Sequence, residues 1–184
     1  MKKTIVILML ALAMLLAGCA PIVLNIADAA GLADIEAPPL LPEKPVPDPE
    51  YTTSEPAAHA LIEETITLTN EQRSINGCAS LAVSDRLCRI AQLRACDMAE
   101  KGYFDHVSPS GENVFTMLHE YNVFYIKSGE NIALGDVSAE KIVQLWMESP
   151  THRENLLSNG FRQIGIGVAE AADGKKYWVQ VFTS

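Results

Sequence analysis

What this 184-residue sequence lacks narrows it early. Basic residues are scarce, 14 Lys and Arg against 23 Asp and Glu, and they form no cluster. Nucleic acid and anionic headgroups both call for a basic patch, so neither is expected as a partner. The one sustained apolar run, Ile5 to Leu16, is shorter than the ~20 residues a membrane-spanning helix requires. Internal repeats and low-complexity tracts are missing, which excludes a solenoid. Gly-x-Ser-x-Gly and His-Glu-x-x-His are missing too, which removes the serine-hydrolase elbow and the two-histidine metalloprotease helix. Ser108, two residues from His106, is the only conceivable nucleophile, and its place before Pro109 reads as a turn.

What is present begins with a targeting signal. Lys2 and Lys3 precede the apolar run, which ends in Leu16-Ala17-Gly18-Cys19, a stretch that resembles a bacterial lipoprotein box. Residues 1–19 are read as that signal, with Cys19 acylated and left as the new N-terminus, so the chain is expected to be extracytoplasmic and anchored by lipid. Eight of the ten prolines then fall between positions 21 and 56. Proline at that density favours an extended, disordered stalk rising about 3.1 Å per residue, assigned here to residues 20–58. Three cysteines follow. Cys88 and Cys96 lie about 12 Å apart along one predicted helix and cannot bridge. Cys78 can reach at most one of them, leaving one disulfide or none, and no base lies close enough in sequence to make any of the three a nucleophile.

Residues 59–184 have the length of one domain. The spacing of Leu61, Ile62, Ile66 and Leu68 predicts a helix over 59–76, weakened by Thr65, Thr67 and Thr69 and stopped at Gly77. A second helix starts at Ser84-Asp85 and closes at Gly102, a short third covers 113–120, and a fourth is capped by Ser138. Pro150 ends that helix and opens another, with Ser149 as N-cap and His152 in its first turn. Strands are expected over 131–134, 164–168 and 177–182, the last two joined by the turn pair Asp173-Gly174. Gly165 and Gly167 leave one strand face bare, so something is expected to pack on the backbone there. Helices early and antiparallel strands late make an α+β fold.

His106, Glu130 and His152 come from three separate segments. Two imidazoles with a carboxylate can ligate a divalent metal, or the carboxylate can hold an imidazole tautomer from behind. His59 and His119 fall in no motif.

The order and wording of the segments add to this. Asn70-Glu71-Gln72-Arg73, Asp97-Met98-Ala99 with Gly102-Tyr103-Phe104, His106-Val107-Ser108-Pro109, Gly129-Glu130-Asn131-Ile132-Ala133, Trp146 to Pro150 with His152-Arg153, Asn155-Leu156-Leu157, Ile164 to Val168 and Tyr177 to Phe182 occur in that order over residues 61–184. Together they resemble the cysteine-rich secretory, antigen 5 and pathogenesis-related superfamily (CAP or SCP), in its bacterial branch. The resemblance implies an α-β-α sandwich with a central antiparallel sheet and an open cleft holding His106, Glu130 and His152. Many relatives carry a second glutamate where this chain has Ser149. Glu148 is its neighbour but is turned by about 100° along the helix, and Thr151 replaces a usual glycine, so the implied site is a three-residue cluster.

The functional expectation is a monomeric binding module that offers this cleft, with a divalent metal such as zinc as its candidate cofactor, to an envelope or extracellular ligand. The membrane is reached only through the N-terminal lipid. The alternative is a metal- or histidine-dependent peptidase or esterase using the same three residues. Cys19→Ser is expected to abolish lipidation, so the protein should leave the detergent phase on partitioning and accumulate as precursor or soluble chain.

Overall fold

The structure, a computed structural model, describes residues 44–48 and 55–184. The signal, Cys19 and most of the proline-rich segment lie outside the described residues.

Helix α1 spans Glu55–Ile75, starting earlier than the pattern predicts because Ala58 is buried and draws the first turn onto the domain. Its threonines are tolerated because their hydroxyls bond back to the preceding turn, Thr65 to the Leu61 carbonyl at 2.6 Å and Thr67 to that of Glu63 at 2.9 Å. Gly77, at φ 73°, ends it and lets the Cys78 amide donate to the Arg73 carbonyl at 2.8 Å. Helix α2, Asp85–Lys101, has Ser84 as N-cap, accepting from the Leu87 amide, and left-handed Gly102 at its end. Helix α3, Val114–Glu120, opens on a reciprocal capping box between Asn113 and Thr116. Helix α4 spans Ala139–Glu148 and α5 Pro150–Leu156. Ser149 holds the N-cap position of α5, but its side chain makes no capping bond there; its hydroxyl lies 3.3 Å from that of Thr151. Pro150 at the first turn, which has no N–H to satisfy, starts the helix instead.

Four strands form one sheet: β1 (Ala82–Val83), β2 (Ser128–Leu134), β3 (Gln163–Glu170) and β4 (Lys176–Thr183), in the order β1-β3-β4-β2. The β2-β4-β3 body is antiparallel. The edge strand β1 pairs parallel to β3 over two residues and was invisible in the sequence, because two residues carry no period. Alternation along β3 and β4 sends Ile164, Ile166, Val168, Trp178 and Phe182 to one face, where α1, α4 and Leu156 of α5 cover them. Val179 and Val181 point to the other face, under α2 and α3. The result is the expected α-β-α sandwich.

The bare glycine face explains how α2 docks. A Cβ added at Gly165 would lie 2.2 Å from the Leu87 carbonyl carbon, and one at Gly167 2.3 Å from that of Ala91. Helix backbone therefore rests directly on strand backbone, and Gln92 seals the contact by accepting from the Val168 amide at 2.9 Å and donating to its carbonyl at 2.8 Å.

Part of the segment assigned to the stalk belongs to the domain. Lys44–Asp48 run without regular structure, and Val46 is buried in the core cluster that contains Leu87, Leu118 and Tyr121. Arg86 donates to the Lys44 carbonyl at 2.8 Å, while the Lys44 ammonium meets Glu120 at 2.5 Å and lies 5.2 Å from the centre of the Tyr121 ring. A proline-rich composition predicts an extended backbone, but not whether one valine in it finds a hole. Cys78 and Cys88 are free thiols. Cys78 donates to the Leu157 carbonyl, and burial pushes the Cys88 thiol up from its ordinary value, away from activation.

Gly167→Ala is expected to destabilise the domain by about 1–3 kcal/mol, the usual range for overpacking a tight contact. A denaturant melt beside the wild type checks this, and an unchanged midpoint would mean that α2 is free to shift.

Candidate functional site

The site is built outward from a buried ion pair. Arg94 lies on the inner face of α2 and Glu130 on β2, with side chains 1% and 2% exposed, and Arg94 Nε stands 3.5 Å from Glu130 Oε1. Three further guanidinium bonds reach the segment after α2. Nη1 donates to the Tyr103 hydroxyl at 2.8 Å, and Nη2 donates to the carbonyls of Asp105 and His106, each at 3.2 Å. Arg94 therefore clamps the segment after α2 to the sheet, and with it the backbone of His106. The Tyr103 hydroxyl donates in turn to Asp97 Oδ2 at 2.5 Å. Burial, then the Asp97 carboxylate, push Tyr103 up to about 12.

The other oxygen of Glu130 meets His106. Oε2 lies 2.6 Å from Nδ1 of an imidazole that is 52% exposed, so the buried carboxylate holds the proton on Nδ1 and turns Nε2 toward solvent. This bond raises the His106 pKa above the ordinary imidazole value, against a smaller opposing effect of burial. The loop beyond it is closed by short local bonds: Val107 N–H to Asp105 Oδ1, Glu112 N–H to Ser108 Oγ, and Ser108 N–H to the Glu112 carbonyl at 2.7 Å. Ser108 is buried and its hydroxyl is engaged, as the turn reading expects.

Helix α5 brings in His152. A Cβ at Gly129 would meet both Asn155 Oδ1 and Phe161 Cζ at 2.9 Å, so only glycine lets β2 pass this close beneath α5. Asn155 then donates to the Glu130 carbonyl at 3.2 Å and to Asn131 Oδ1 at 2.9 Å. The Asn131 amide donates to the His152 carbonyl at 3.1 Å and to Gln180 Oε1 at 3.0 Å, and Gln180 Nε2 reaches Thr69 Oγ1 at 3.0 Å. One strand of polar side chains thus ties α5, β2, β4 and α1 together beneath the histidines. His152 is half-buried. Desolvation lowers its pKa, and the neighbouring His106 charge lowers it further, which puts the two imidazoles within electrostatic reach.

The structure therefore brings His106, Glu130 and His152 into one neighbourhood, with Glu130 behind His106. Glu148 is elsewhere: it is exposed on α4, accepts from Gln144 at 2.7 Å, and lines a groove of about 280 Å³ between α1 and α4. Among the described residues, no three His, Cys, Asp or Glu side chains are arranged to hold a metal ion. Both oxygens of Glu130 are taken, so a cation would find the two imidazoles without a third protein ligand. Sequence reasoning assigned no role to Arg94, Asn131 or Asn155. Arg94 did leave a signal, since an arginine on the apolar stripe of a helix needs a buried partner.

The cysteine-rich secretory protein (CAP) family model matches residues 66–182. The uncharacterized protein YkwD of Bacillus subtilis is 36% identical over 71% of this chain and 50% of its own length. An extracellular SCP-domain protein of Bacillus anthracis has a TM-score of 0.61 and 30% identity over 68% of this chain and 41% of its own. An outer surface protein of Borrelia burgdorferi shares the fold, with a TM-score of 0.61 at 22% identity over 66% of this chain and 92% of its own. The chain thus spans about half the length, or less, of the two Bacillus proteins.

Glu130→Gln removes the charge that raises His106, whose titration is then expected to fall back toward the ordinary imidazole range. A raised histidine stabilises the fold fully below the ordinary value and loses that contribution as pH climbs through the raised one. The stability gap between wild type and variant should therefore narrow over that interval. Beneath it lies a pH-independent loss on the order of 3 kcal/mol from the unpaired Arg94. NMR titration of both histidines with melts at each pH tests this, and an unmoved His106 would dissolve the pair.

Proposed function

The chain belongs to the cysteine-rich secretory protein family, and from that premise we propose that it is an extracytoplasmic, lipid-anchored binding module. Its cleft presents His106, with Glu130 behind it, and His152 to an envelope or extracellular ligand. The observation that carries this reading is how Glu130 is spent. Its carboxylate is buried and engaged by Arg94 and His106, so it serves to orient an imidazole and is not free to activate a nucleophile. Ser108, two residues from His106, is held in its turn. What faces outward is Nε2 of His106 and the His152 ring, two groups suited to hydrogen bonding or to a shared cation. An extracytoplasmic setting is supported by the Bacillus anthracis relative, an extracellular protein, and by the lipoprotein-like sequence ending in Cys19.

A divalent metal such as zinc would use those two imidazoles and complete its coordination from the bound ligand or solvent, with Glu130 keeping the His106 tautomer. A second reading, a hydrolase, draws on one observation: the two histidines are shifted in opposite directions, the pattern expected of an acid and a base working together.

Zinc titrated calorimetrically into wild type, His106→Ala and Glu130→Gln separates these readings. Binding in the wild type, lost in His106→Ala and weakened about 10- to 100-fold in Glu130→Gln, supports the metal-assisted module. Equal affinities in all three proteins would end the metal proposal. Turnover of peptide or ester substrates that disappears in His152→Ala would replace binding by hydrolysis.

A further inference from the structure

Beyond the histidine cleft, the loop between α3 and β2 carries three consecutive large apolar residues in the open. Ile126 is 98% exposed and Phe124 67%, with Tyr125 exposed between them. A chain with 23 acidic residues has every means to cover such a loop with charge, yet no Asp or Glu occurs between Tyr121 and Gly129. None occurs between Asn155 and Ala169 either, the stretch that meets this loop at the same end of the sheet. The loop is also held in place. Ser184 Oγ accepts from the amides of Ile126 and Lys127 at 2.8 and 3.1 Å, and the Ser184 amide donates to the Lys127 carbonyl at 2.9 Å. Lys127 follows the apolar triplet directly, and Arg162 joins it at this end, its amide bonded to the Thr183 carbonyl at 2.8 Å.

We propose that the Phe124-Tyr125-Ile126 loop is a membrane-interface contact, through which the domain lies down on a lipid bilayer with Lys127 and Arg162 at the headgroup phosphates. Aromatic and aliphatic side chains next to a basic residue are the composition that settles at the acyl–headgroup boundary, the rings and the isoleucine on the apolar side and the ammonium in the phosphate layer. A preformed loop loses little conformational freedom on insertion. A symmetric contact between two copies through this loop would set Lys127 and Arg162 against the same cations of the other copy, whereas headgroup phosphates complement them. The contact also orients the cleft: Glu130 follows Ile126 by four residues along β2, roughly 13 Å of extended chain. The histidines are thereby held close above the headgroups, within reach of a surface-bound ligand.

The test uses the full chain reconstituted into phosphatidylcholine vesicles, with Cys78→Ser to limit background labelling. An environment-sensitive fluorophore is attached at Ile126→Cys or, as control, at Val83→Cys, an exposed position on the opposite edge of the sheet. The label at 126 is expected to shift to the blue and to be quenched several-fold by nitroxides on the acyl chains, while the label at 83 responds to neither. Phe124→Ser should weaken the effect at 126 without changing the melting temperature. Equal, water-like emission at both positions would overturn the proposal. So would a blue shift at 126 that appears without lipid and grows with protein concentration, which would assign the loop to a second copy of the chain.

Discussion

A guanidinium and a carboxylate, each almost wholly removed from water, are the constraint on which the site depends. Arg94 and Glu130 come from different layers, α2 and β2, and neither charge is tolerable in that interior without the other. Once paired, their remaining hydrogen-bonding groups have nowhere to go but the loop after α2, and that necessity sets its path. Arg94 takes two of its carbonyls and Glu130 takes its histidine ring. His106 is exposed, yet its orientation is dictated from below by groups that solvent does not reach.

The pair can form only because α2 lies close to the sheet. Gly165 and Gly167 bring the helix backbone onto the strand, which sets the height at which the Arg94 side chain leaves α2. Gly129 does the same for α5 above β2, where Asn155 and Asn131 fill the remaining hydrogen-bonding needs. Three absent side chains thus fix two helices against one sheet, and the histidines inherit that placement. Glycine here is chosen for close approach and not for a left-handed backbone.

Electrostatically the cleft is asymmetric. His106 has a buried anion behind it and is drawn toward the protonated form; His152 has no such support, is partly desolvated, and faces a neighbour of like charge. His106 is thereby the ring more disposed to carry and donate a proton, and His152 the one more disposed to accept. That polarity comes from where one carboxylate sits.

Much was legible in the sequence because it is local. Ser84 and Gly102 bound α2, the Asn113 region opens α3, alternation marks β3 and β4, and Asp173-Gly174 turns between them; each follows from hydrogen bonds and dihedral preferences within a few residues. The bare face of Gly165 and Gly167 even announced a close packing partner, though not which one. His106, Glu130 and His152 were recognisable as candidates, but from segment wording and not from any spacing that places them together. Only the tertiary structure decided that Arg94 is the partner of Glu130, that Glu130 stands behind His106, that two residues before α2 add a parallel edge strand, and that Val46 is core. These are contacts between residues far apart in the chain, where burial and the need to satisfy each buried polar group select the partner and no local pattern records the choice.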